Sequence, residues 1–206
     1  GNLNSQLKIP ETPKEIFWLA VNNFDSNNFY MRLGSGLEEI ISGINLEMLQ
    51  LNSQPRILSM VLALITFFQY YERLTDRTAL ESIHYRTEWK FALHLPVKDF
   101  EMRETILCEY RRFLLKDDNR LKVYSTLIRQ LTDLLPKKEN RYQHVSAKQL
   151  IQEVCEYNQK YTAVSLINTA LTILKINHPK WLKQHDKPRL YARYLPTTSQ
   201  FDLLIP

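Results

Sequence analysis

A guanidinium presents a planar fork of donors that matches phosphate oxygens and guanine edges, an ammonium gives a point charge, and a hydroxyl adds a neutral contact. Between residues 73 and 112 the chain carries Arg73, Arg77, Arg86, Lys90, Thr105, Arg111 and Arg112. This stretch is therefore the candidate for contacting a polyanion. It also holds Tyr85, Trp89, Tyr110 and Phe113, whose large apolar surfaces suit a dimerisation or protein-interaction surface. Local charge weighs against the first reading, because residues 71–116 contain nine basic and eight acidic side chains.

Other chemistry is thin. The five histidines, His84, His94, His144, His178 and His185, form no i,i+4 pair and have no cysteine at ligand spacing, so no zinc site is expected. Cys108 and Cys155 lie 47 positions apart inside helical runs and read as reduced thiols. There is no glycine-rich phosphate loop and no G-x-S-x-G phrase. Glu101 and Glu104 read as ion-pair partners of Arg103 or Lys98 rather than a catalytic pair. No cofactor and no metal are expected.

The elements that must position these side chains are helices. Thr75 followed by Asp76 is a helix start, since the hydroxyl accepts an orphan N–H and the acid offsets the positive dipole end; Ala79, Leu80 and Ile83 mark its buried face. A second run, Thr87 to Leu93, is closed by Pro96. A third from Glu104 places Ile106, Leu107, Tyr110, Phe113 and Leu114 on one face, leaving Thr105, Cys108, Arg111 and Arg112 on the other. Four glycines in 206 residues argue against hairpins and for helices joined by proline-containing turns. The expected fold is all-α, a compact multi-helix bundle containing a helix-turn-helix-like unit. Its third helix would enter the major groove with Arg111 and Arg112.

The residues of this unit also carry a resemblance. Leu74, Thr75, Asp76, Arg77, Ala79, Glu81, Ile83, Arg86, Trp89, Lys90, Phe91, Leu93, Leu95, Val97 and Asp99, followed by Thr105, Leu107, Tyr110, Arg111 and Leu114, fit the pattern of one family at a single spacing. The segment resembles the InsH-type N-terminal domain of bacterial insertion-sequence transposases. An aspartate usual before the second hydroxyl is Arg103 or Glu104 here, and Phe29 replaces a proline in the upstream Asn28–Leu33 phrase. The family's T-D-S-T-H-V phrase, which supplies the first catalytic aspartate, corresponds to Asn140-Arg141-Tyr142-Gln143-His144-Val145. Arg141 stands at the aspartate position, where it would repel the divalent ions that two-metal chemistry needs. The later family acids fall beyond Pro206. The resemblance thus implies a transposase-derived fragment without nuclease activity, whose partner is double-stranded DNA, with a second copy or an intact transposase as further partners. Pro179-Lys180-Trp181-Leu182 and Tyr191-Ala192-Arg193-Tyr194 extend it towards residue 196, and the last ten residues read as a replacement end. A decaying reading frame without function is the remaining alternative.

Around this unit the chain reads as follows. Residues 1–13 are a polar arm; Thr12 and Pro13 are expected to start a short helix over Lys14–Val21. Leu37–Ile41 and Leu46–Leu49 are two short apolar groups split by Ser42-Gly43. Ile57–Tyr71 is uncharged but too short for the roughly 20 residues a bilayer requires, so a fully buried central helix is expected, with no membrane partner. Leu121–Leu135 and Ser146–Ile176 are further helices. Pro136–Asn140 is the expected boundary between a domain at 1–136 and a second at 137–206. Charge is uneven: residues 1–70 carry −2 and residues 137–194 carry +7, a sign that attracts phosphate backbone or other acidic surfaces. Gly1 in place of Met reads as an expression scar, no secretory segment follows it, and a cytoplasmic location is expected.

Overall fold

The computed structural model describes residues 9–52, 54–98, 101–103, 105–136, 142 and 145–185. Among them are nine helices and no strand, as the all-α expectation requires: α1 (Lys14–Asn23), α2 (Phe29–Ser42), α3 (Arg56–Glu72), α4 (Asp76–Tyr85), α5 (Thr87–Ala92), α6 (Ile106–Leu115), α7 (Asp118–Asp133), α8 (Ala147–Asn177) and α9 (Pro179–His185). The chain divides into two compact units, residues 1–155 and 156–206. The linker expected after Pro136 lies outside the described residues up to 141.

In the first unit α3 is the axis. Every residue from Ser59 to Tyr70 is buried, which explains a segment that is apolar around its whole circumference. Its interior polar groups all find partners, as burial demands. Thr66 Oγ1 donates to Leu62 O at 2.8 Å, Ser59 Oγ accepts from the Leu51 amide at 3.0 Å, and Gln69 Nε2 donates to Asp76 Oδ1 at 2.7 Å. Helix α7 docks through Tyr124, fully buried, whose hydroxyl donates to Ala63 O at 3.0 Å. The start of α8 adds Ala147, Leu150, Ile151 and Val154 to the same core.

Two starts differ from their sequence reading. Helix α1 begins at Lys14 with Pro13 in the cap position, extended at ψ 138° and without a side-chain cap; Thr12 is not used, because a residue before proline is pushed out of helical geometry. Helix α2 starts at Phe29, where the Asn28 side chain accepts from the Tyr30 amide at 2.9 Å. The Leu37–Ile41 group is therefore the end of a long helix rather than a short one. Gly34 survives within α2 because a Cβ there would stand 2.5 Å from the Phe91 ring and 2.8 Å from the Phe91 carbonyl. Close approach of α5 requires it.

A smaller cluster of Ile16, Ala20, Met31 and Phe91 ties α1 to this contact. His94, at φ 53°, completes the joint: its ring nitrogens lie 2.7 Å from Pro10 O and 2.8 Å from Gly34 O. A neutral imidazole can donate to only one of these carbonyls at a time.

Candidate nucleic-acid interface

The residues expected to contact DNA lie on α4, α5 and α6 and on the residues that cap or join α3 to α6, and packing sorts them into two groups. The first group is internal. Arg111 is 2% exposed. Its Nη1 and Nη2 donate to Asp76 Oδ1 and Oδ2 at 2.7 Å each, and Nη1 also reaches Gln69 Oε1 at 3.1 Å. Burial works against this charge, but the hydrogen bonds and the field of Asp76 outweigh it and the guanidinium is held above its ordinary range. Lys90 is also buried; its Nζ donates to Val97 O at 2.7 Å and Pro96 O at 3.2 Å, and desolvation pushes the ammonium down. Arg111, expected to enter a groove, is thus spent on closing the core.

Arg86 is half-buried at the single-residue joint between α4 and α5. It donates through Nη1 to Glu72 Oε2 at 2.5 Å and through Nε to Glu88 Oε1 at 2.6 Å. Its guanidinium also stands 5.4 Å from the Tyr30 ring centroid and 5.0 Å from that of Trp89. Desolvation opposes its charge, and the hydrogen bonds to Glu72 and Glu88 more than restore it. The Tyr30 hydroxyl also donates to Glu72. This ring of polar and aromatic groups is a structural joint.

The second group faces outward. Arg73 caps α3 in the left-handed conformation at φ 58° and is exposed. Arg77 is exposed in the first turn of α4 and pairs with Glu81 at 3.1 Å. Thr105 is exposed and donates to Glu109 Oε1 at 2.8 Å. Arg112 is exposed beside the buried Arg111.

Helix α5 turns little to solvent, since Trp89, Lys90, Phe91 and Ala92 are all buried. Helix α4 has a clear outward face. Ala79, Leu80, Ser82 and Ile83 turn inward, while Arg77, Thr78, Glu81, His84 and Tyr85 turn outward, and Tyr85 is 84% exposed. The Thr75 hydroxyl accepts from the Thr78 amide at 3.2 Å, so the expected cap fixes where this face starts. Thr78 and His84 share this face, and the sequence carries their signal, since they fall opposite the apolar stripe. Of the four aromatics considered for an interface, Trp89 and Tyr110 are core, Phe113 is half-buried and Tyr85 is exposed.

No protein-family model, curated protein or solved structure matches this chain. Arg141 and His144, on which the reading of a lost catalytic aspartate rests, lie outside the described residues. Among the described residues no three His, Cys, Asp or Glu side chains are grouped so as to hold a metal ion. No single helix there is long and apolar enough to cross a membrane.

Proposed function

We propose that this chain binds double-stranded DNA through a transposase-like helical unit, and that the outward face of α4 is its reading surface. The observation that carries the proposal is the division of labour within α4. Its inner face is locked to the core, and its outer face presents Arg77, Thr78, His84 and Tyr85. These side chains donate to phosphates and base edges or stack on sugars. Arg73 precedes this face, and Arg112 stands on the helix joined to α4 through the Asp76–Arg111 pair. The resemblance of residues 74–114 to the transposase N-terminal domain points to the same activity.

The test is fluorescence-anisotropy titration of duplexes carrying insertion-element terminal repeats, against scrambled duplexes, over a salt series. The expected result is preference for the repeats, with a salt slope that falls by about one for each phosphate-contacting cation removed, read on Arg77→Ala and Arg112→Ala. Equal weak binding to both duplexes, unchanged in the variants, sinks the proposal.

A second reading, a protein-interaction module, is favoured by a different element. Helix α1 exposes Phe17 at 42%, Trp18 at 61% and Val21 at 39%, an apolar face of the kind that marks protein contacts. It gains if the DNA titration is flat.

A further inference from the structure

From Tyr161 to Leu174 helix α8 has no charged side chain in fourteen residues, about 21 Å of helix. On one side of this stretch Tyr157 is buried and Tyr161, Val164, Asn168, Leu171 and Leu174 are half-buried. The opposite side is a heptad seam of Glu156, Gln159, Ala163, Leu166, Ala170, Ile173 and Asn177, and all seven are exposed. Leu166 is 65% and Ile173 52% exposed, with Ile176 at 73% and Ile167 at 38% beside them. Alternating spacing of three and four over three heptads is the pattern of a helix that pairs with another helix.

The seam is complementary to itself in one orientation. Laid antiparallel with Leu166 opposite Ala170, it sets Ala163 opposite Ile173, so that every central layer joins one large and one small side chain. That arrangement interdigitates without voids. In-register parallel pairing would set Leu166 on Leu166 and Ala163 on Ala163, giving alternately crowded and empty layers.

Charge selects the same orientation. Glu156 opens the seam, whereas Lys180 continues its spacing at the far end. The helical path continues towards Lys180, since the His178 amide donates to Leu174 O at 2.8 Å and the Leu182 amide to His178 O at 3.0 Å. An antiparallel two-fold brings Glu156 of one copy to Lys180 of the other, twice over, and also opposes the two helix dipoles.

We infer that this chain forms an antiparallel homodimer through the Glu156–Asn177 face of α8. The inference rests on residues separate from the proposed DNA surface and stands or falls independently of it.

Sedimentation velocity of the full chain over a concentration series tests it, with circular dichroism as the control for folding. The wild type shifts from monomer to dimer as concentration rises. Leu166→Lys/Ile173→Lys remains monomeric at the top of the series with unchanged helicity, because both side chains are already exposed. Glu156→Lys and Lys180→Glu each weaken the dimer about threefold, as a partly screened pair does, and the double exchange restores it. A wild type that stays monomeric, a dimer that survives the double lysine variant, or a charge exchange that fails to rescue would each overturn the inference.

Discussion

The guanidinium of Arg111 grips the carboxylate of Asp76 with two parallel bonds of 2.7 Å, tying α6 to the first turn of α4 where the side chain of Arg111 is 2% exposed. Buried fork-to-fork geometry of this kind is strong when complete and costly when halved. Asp76→Ala leaves the buried Arg111 guanidinium without its carboxylate, and Arg111→Ala takes from Asp76 both bonds of the fork. Each is expected to lose about 3–5 kcal/mol of stability, read as the shift in urea midpoint. A milder cost is expected of the double exchange Asp76→Leu/Arg111→Met, which removes both charges together. On the proposed DNA surface, Arg77→Ala and Arg112→Ala are expected to weaken binding with stability within about 0.5 kcal/mol of wild type, whereas any loss in Arg111→Ala tracks unfolding.

Arg86 makes a second joint that depends on shape as well as charge. It bonds Glu72 and Glu88 while covering the rings of Tyr30 and Trp89. Lysine cannot reproduce a planar fork stacked on aromatic faces. Arg86→Lys is therefore expected to recover less than half of the stability lost in Arg86→Ala, by the same urea measurement.

Helix propensity alone predicts that Gly34→Ala would stabilise α2 by about 1 kcal/mol. The Phe91 ring and carbonyl stand within 2.8 Å of where the new methyl would sit, and one of those atoms is backbone. Overpacking wins, and a net loss of about 1–3 kcal/mol is expected. A thermal midpoint raised in Gly34→Ala would show that α5 yields instead.

Alkaline pH is expected to unfold the chain. Burial is the first cause that raises the hydroxyls of Tyr30, Tyr110 and Tyr124 well above the ordinary tyrosine range, with Glu72 adding to the effect at Tyr30. Below about pH 10 these phenols are protonated in both folded and unfolded chains and contribute no pH dependence. Above it the unfolded chain releases protons that the folded chain retains, so stability falls as pH rises. Of the eleven tyrosines, these three are expected to ionise only with unfolding, seen as a late step in tyrosinate absorbance that coincides with loss of helical circular dichroism. Early titration of all eleven would contradict the buried placement.

Much of this architecture was legible beforehand because it depends on neighbours in the chain. A run apolar on all sides, Ile57–Tyr71, can satisfy itself only by complete burial, and α3 is buried. Thr75 before Asp76 caps α4 as its chemistry demands. The stripe of Ala79, Leu80 and Ile83 fixes α4's inner face and, by opposition, its outer one.

Tertiary structure decided what the cations do. Arg111 and Arg112 are identical residues one helical step apart, about 100° around the axis. That rotation turns one onto Asp76 in the core and leaves the other in solvent. Lys90 likewise looks like a surface residue until the carbonyls of Pro96 and Val97 fold over its ammonium. Periodicity reports which faces are apolar, because burial of apolar surface is non-directional and sums along a helix. The fate of a charge depends on one partner brought from elsewhere in the chain to within 3 Å, and the spacing of residues along the sequence carries no record of that approach.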